Sequence, residues 1–327
     1  MKKLFNIFIV SFALVFSSSV FANKIGVVYD SGGKFDKSFN ELAFKTAERV
    51  KNELGWQMVE FESSNDAQIE QGMRKIADRG ATMIVGMGFA QADAVAAVSA
   101  DYPDIKFVAV DVCWLDDPNN NIYQACYKEH EGSFLVGMMA AMASKTGTIG
   151  FVGGMDIPLI RKFQGGYEQG AQYVNPDIEV LANMTGTTNE AWNNPTKGAE
   201  LTKAQIDGGA DVVYQAAGGT GIGVLQAAAD AGIMGIGVDA NQNWMHPGNM
   251  LTSMLKRLDL TIFAQAEAIA AGTFEPSGQF LSLGLAEGGV GYATEDGMVT
   301  DEMAAAADAA AADIASGAIV VADWSQE

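Results

Sequence analysis

Beyond the first two dozen residues, short apolar runs alternate with longer amphipathic stretches along most of the chain. Residues 25–29, 57–61, 82–85 and 106–112 read as strands. Between them, helices are expected from about Ser38 and over 67–79 and 90–99, with Phe39, Leu42, Ala43 and Val50 on the inner face of the first. A second series repeats the scheme, with strands at 148–152, 178–184, 212–214, 235–238 and 250–255. Its helices fall near 163–173, 196–208 and 223–231. Strand–helix–strand steps of this length are parallel βαβ crossovers. Continuous runs such as Val212-Val213-Tyr214 mark strands covered on both faces. The pattern predicts an α/β protein of two doubly wound parallel-sheet lobes.

The lobe boundaries follow from the same reading. Residues 23–128 plus about 257–278 form the N-terminal lobe, and 129–256 plus about 279–327 the C-terminal lobe. The join at 127–132 is poor in the residues of flexible linkers and reads as a crossing between lobes that share a hinge. Further elements are a helix over 258–271, a strand over 279–285 and an Ala-rich helix over 302–315, the last packed on the outside.

Charge narrows the class. The 327 residues include 20 basic and 40 acidic side chains, for a net charge of −20, beside 49% hydrophobic residues. That is too apolar for a disordered chain and too acidic for a nucleic-acid partner, whose phosphates demand clustered Lys and Arg. Residues 1–22 change the expected compartment. Lys2-Lys3, an apolar run from Leu4 to Phe16 and the small-residue end Val20-Phe21-Ala22 form a secretory signal peptide cut near Ala22. The run falls short of the ~20 apolar residues that span a bilayer. No cysteine follows the cleavage site, so no lipid anchor is expected. In an oxidising compartment Cys113 and Cys126 are expected to pair, two buried thiols being the alternative.

In open α/β sheets, ligands bind beyond the carboxyl ends of the strands. This chain places Asp30, Gly88-Phe89 and Asp111 at such ends in the first series. Gly153-Gly154, the run Gly218-Gly219-Thr220-Gly221, Asp239 and Lys256 occupy them in the second. One strand-end carboxylate is usually a helix cap; several, with a lysine and glycine turns, predict a shared polar cleft. Catalytic signatures are missing: no His-Glu-x-x-His, Gly-x-Ser-x-Gly or phosphate loop occurs. The glycine run fails the dinucleotide spacing because Val224 stands where glycine is required. The Asp116–Asn121 run lacks the spacing and closing Glu of a calcium loop and reads as a solvated turn. No metal and no cofactor is expected.

Several segments carry a resemblance. They include Gly33-Lys34-Phe35-Asp36-Lys37-Ser38-Phe39-Asn40, Glu131-Gly132-Ser133-Phe134-Leu135-Val136-Gly137 and Ile149-Gly150-Phe151-Val152-Gly153-Gly154. Gly209-Ala210-Asp211-Val212-Val213, Ala217-Gly218-Gly219-Thr220-Gly221, Gly237-Val238-Asp239 and Thr252-Ser253-Met254-Leu255-Lys256 follow in order. Together they resemble the basic membrane protein family, purine nucleoside receptor-like substrate-binding proteins of ABC transporters. The resemblance runs from about Lys24 to Asp259 and weakens in the tail.

It implies a type I periplasmic binding protein fold that closes on a nucleoside. By position, Asp30 would bond the base and Phe39 stack on it, with Asn40 beside them, while Asp239 and Lys256 would hold the ribose. Asp111, Phe89 and Gly218 join the expected site. A second stacking aromatic is expected from the other lobe, and both Tyr214 and Trp192 are candidates. The family's Asp-x-Asp-Gln reads Asp239-Ala240-Asn241-Gln242 here, so one charge is lost. The missing lipid-attachment cysteine departs from the lipoprotein members and points to a free periplasmic carrier. The expected partners are a purine nucleoside and an inner-membrane ABC permease; the chain is expected to be a monomer and not an enzyme. Alternatives are the same fold holding riboflavin or a sugar, and an exported nucleoside hydrolase.

Overall fold

In the computed structural model the described residues are 22–63 and 65–326. The expected signal segment lies outside them except for Ala22. The first sheet contains β1 (Lys24–Tyr29), β2 (Gln57–Glu62), β3 (Met83–Met87), β4 (Lys106–Val110) and β5 (Ile122–Tyr127). These five strands are parallel, in the order β2-β1-β3-β4-β5. Helices α1 (Phe39–Leu54), α2 (Ile69–Asp78) and α3 (Ala92–Asp101) connect the first four strands. Ile25, Val27, Val85 and Val108 face one core and Val28, Ile84 and Phe107 the other, so the sheet is covered on both sides.

Helix α4 (Glu129–Ala143) opens the second lobe. Its sheet contains β6 (Thr148–Met155), β7 (Glu179–Gly186), β8 (Val212–Ala216), β9 (Met234–Asp239) and β10 (Met250–Lys256), in the order β7-β6-β8-β9-β10. Helices α5 (Pro158–Val174), α6 (Pro195–Asp207) and α7 (Gly221–Asp230) make the crossovers. The strand order repeats that of the first lobe, so β4 corresponds to β9 and β5 to β10.

The tail returns to each lobe in turn. Helix α8 (Leu258–Ala271) buries Leu258, Ile262, Phe263 and Ala266 in the first core. Strand β11 (Ser282–Leu283) then pairs parallel to β5. Strand β12 (Val290–Tyr292) pairs antiparallel to β10. Helix α9 (Asp301–Ser316) presses Met303, Ala307, Ala310 and Ile314 onto the outside of the second lobe. The chain therefore crosses between the lobes after Tyr127, after Lys256 and between Leu283 and Val290. The expected boundary near 279 is displaced, because the pairing of Ser282 and Leu283 with β5 keeps the first lobe's share going to Leu283.

Helix α4, strand β5 and the short strand β12 were invisible to the pattern. Helix α4 is buried at every residue from Glu129 to Ala140, so it has no polar face to give a period. It lies against α5 with backbones nearly touching: a Cβ at Gly137 would strike the Tyr167 carbonyl, and one at Gly170 the Phe134 carbonyl. Strand β5 carries Gln124 within its apolar run; that side chain is buried and bonds the backbone of Leu115 in both directions. Cys113 and Cys126 form a disulfide with Cα atoms 5.7 Å apart, tying the end of β5 to the loop after β4. No helix among the described residues is long and apolar enough to cross a membrane.

Candidate functional site

The carboxyl ends of both sheets face each other across a cleft. Asp30, Phe39, Phe89 and Asp111 line it from the first lobe, and Trp192, Gly218, Asp239 and Lys256 from the second. The non-atom space among them is about 530 Å³, open mouth included.

Each side chain is placed by local structure. Asp30 follows β1 and accepts from Gly32 N at 2.8 Å and Asn40 Nδ2 at 2.5 Å. Asn40 is fully buried behind Asp30 and orients it rather than lining the cleft. Asp36 accepts from the backbone N–H groups of Ser38, Asn40 and Glu41 at 2.8–3.1 Å, satisfying the open end of α1. That cap sets Phe39 at the first helical position with its ring toward the cleft. Opposite, Trp192 ends a short 3-10 turn (Asn189–Trp192) and lies on Gly154, where any side chain would collide with its indole ring. Thr220, in the turn begun by Gly218, fixes that segment by accepting from Asn194 N and donating to Ala191 O, both at 2.7 Å.

Asp111 and Asp239 occupy corresponding places after β4 and at the end of β9. Both adopt the left-handed backbone, with φ of 63° and 64°. Aspartate tolerates this conformation better than most side chains, yet such strain concentrates at ligand sites. Lys256 ends β10 and is almost wholly buried, with Nζ 2.6 Å from Asp111 and 3.0 Å from Glu129. Burial alone would depress its pKa, but Asp111, Glu129 and Asp239 reverse the effect and hold it above the usual lysine range. Burial pushes Asp111 up to about 6 against the pull of Lys256, and raises Asp30 and Asp239 as well. The cleft is thus a low-dielectric chamber rich in acceptors, with one ammonium fixed among them.

The lobes also touch directly. Ser38 Oγ donates to Asp239 Oδ2 at 2.8 Å, with Val238 O at 3.0 Å. Gln242 Nε2 donates to Lys37 O at 3.1 Å. These bonds hold the cleft shut.

Tyr214 does not join the site. It sits in mid-strand on β8, fully buried, with its ring centroid 5.5 Å from that of Phe151 and 5.1 Å from that of Tyr167. Its hydroxyl lies 3.2 Å from Ser133 Oγ. A mid-strand side chain points into a packed layer, whereas cleft residues stand at strand ends. Of the two candidates Trp192 lines the cleft, which the second lobe also borders with Phe163 of α5. Asp36, Ser38, Leu159, Ile160, Phe163 and Glu129 were not singled out from sequence, although all but Ser38 and Glu129 line the cleft. An aspartate just ahead of a helical run was a readable cap signal for Asp36; nothing local marked Glu129.

Residues 22–324 match the family of PnrA-like ABC transporter substrate-binding proteins. Basic membrane protein A2 of Borrelia garinii is 34% identical over 286 residues, covering 86% of this chain and 82% of that protein. The ABC transporter nucleoside-binding protein BmpA of Lactococcus lactis is 31% identical over 320 residues, covering 91% of this chain and 88% of the relative. Among solved structures, an ABC transporter solute-binding protein from Aeropyrum pernix K1 superposes with a TM-score of 0.82 at 27% identity, covering 92% and 93% of the two chains. With a matching fold, a closed interlobe cleft and a family match spanning nearly the whole length, this chain belongs to the PnrA-like substrate-binding proteins of ABC transporters.

Proposed function

We propose that this protein captures a purine nucleoside between its lobes and delivers it unaltered to an inner-membrane permease. One observation carries the reading: aromatic side chains from opposite lobes, Phe39 and Trp192, border one cleft whose polar walls include Asp30, Asp111, Asp239 and Lys256. A purine offers two π-faces, and each aromatic stack contributes ~1–3 kcal/mol. Asp30 accepts from the base edge. Asp239 accepts from sugar hydroxyls, and Lys256 donates to one; charged partners make such bonds short and strong. The nucleoside-binding name of the Lactococcus relative supports the ligand class.

On this reading the chain is exported by a cleaved signal peptide and works as a free monomeric periplasmic carrier with no turnover. Mass spectrometry of the small molecule that co-purifies with the exported protein tests the proposal. A purine nucleoside is expected; a sugar or a flavin overturns it. Incubation with inosine is expected to leave the nucleoside intact, and release of hypoxanthine would favour a hydrolase instead.

A further inference from the structure

Glu129 is the most deeply buried carboxylate of the hinge, with no exposed surface, at the first residue of α4. It lies directly after the Tyr127 crossing, while its partner Lys256 lies directly before the next crossing into α8. Their contact at 3.0 Å therefore ties together two of the segments about which the lobes turn. A second ammonium, Lys162 of α5, stands 3.5 Å from Glu129 on the other side and donates to Tyr127 O at 3.1 Å. Lys256 thus has one carboxylate partner inside the cleft, Asp111, and one outside it. A bound ligand with hydroxyl groups must compete with Asp111 for the ammonium, and Glu129 is the partner that stays.

We propose that Glu129 is the positioning residue for Lys256: from the hinge, and without touching ligand, it keeps the ammonium charged and aimed at the sugar side of the cleft. A flexible four-carbon stem would otherwise leave a buried ammonium free to follow Asp111 alone. Removing one partner from a buried ion pair is strongly felt because the other charge is left uncompensated. This assignment rests on the nucleoside reading above.

The test is calorimetric titration of the intact protein and four variants, Lys256→Met among them, with adenosine and with its 2′,3′-dideoxy analogue. Wild type is expected to favour adenosine by at least about tenfold, the scale of one charged hydrogen bond. Glu129→Gln is expected to reduce adenosine affinity by about tenfold while changing the dideoxy compound by less than about threefold. Glu129→Asp should recover part of the loss. The Glu129→Gln/Lys256→Met pair keeps the test intact if the single variant folds poorly, because it removes both charges together. In a Lys256→Met background, Glu129→Gln should have no further effect on adenosine. Equal loss for both ligands, or an undiminished effect of Glu129→Gln in the Lys256→Met background, overturns the assignment. Absence of any nucleoside binding by wild type removes the functional reading itself, and the assignment with it.

Discussion

Ser38 of the first lobe gives its hydroxyl proton to Asp239 of the second, 2.8 Å away across the closed cleft. Asp239 also belongs to the cleft wall, so the bond between the lobes and the proposed ligand contact share one carboxylate. A neutral donor to an ionised acceptor contributes about 1.5–3 kcal/mol when buried. Ser38→Ala is therefore expected to weaken nucleoside binding roughly tenfold, chiefly through faster release, with a shift toward an open shape in small-angle scattering. Unchanged affinity and dissociation rate would remove this bond from the closing mechanism. Asp239→Ala loses the wall acceptor too and is expected to cost at least ~2 kcal/mol in binding.

The two aromatic candidates of the second lobe separate cleanly. Trp192→Ala removes a cleft wall and should weaken purine nucleoside binding by ~1–3 kcal/mol. Tyr214→Phe removes only a hydroxyl that meets Ser133 inside the core, and its affinity should stay within about threefold of wild type. Calorimetry on both variants decides. The reverse order of effects would show that the wrong aromatic has been chosen.

The disulfide closes a loop beside Asp111, with Cys113 two residues beyond it. In the chain-entropy account a loop of this size adds about 3 kcal/mol. Cys113→Ala/Cys126→Ala should lower the melting temperature by several degrees. Binding should weaken as well, because the segment that carries Asp111 loses its tether. A variant with an unchanged melting temperature would show that the staple is energetically idle.

Asp111 gives a pH signature. Its folded pKa, pushed up to about 6 by burial, lies above its unfolded value near 4. The native state therefore holds more protons in that window, so this group contributes stability below about pH 4 and loses it as pH rises through about 6. Thermal melts of the ligand-free protein should show a contribution of order 2 kcal/mol between those limits. Asp111→Asn should flatten that part of the profile. Identical slopes for variant and wild type would contradict the assignment.

Strand–helix alternation made the doubly wound lobes legible because most helices keep one polar face and most strands are continuous apolar runs. The same logic hid α4, which is enclosed on all sides, and β5, whose Gln124 serves a neighbouring loop. Asp30, Phe89, Asp111, Gly218, Asp239 and Lys256 were readable because the sheet topology brings strand ends together, whereas Phe39, an inner-face helix residue by spacing, was marked by the family resemblance. Trp192 stands on a turn after β7, and its direction depends on the space left by Gly154, 38 residues earlier in sequence. Glu129 was illegible for a related reason: its partners, Lys162 and Lys256, meet it only once the crossings are folded.

Titration of the purified protein, first stripped of any co-purifying compound, with adenosine, guanosine, inosine, riboflavin and ribose tests the central claim most directly. Saturable binding of at least one purine nucleoside at one site per chain, with the nucleoside recovered intact, is the predicted result. Saturable binding of ribose or riboflavin with no response to any nucleoside would contradict it.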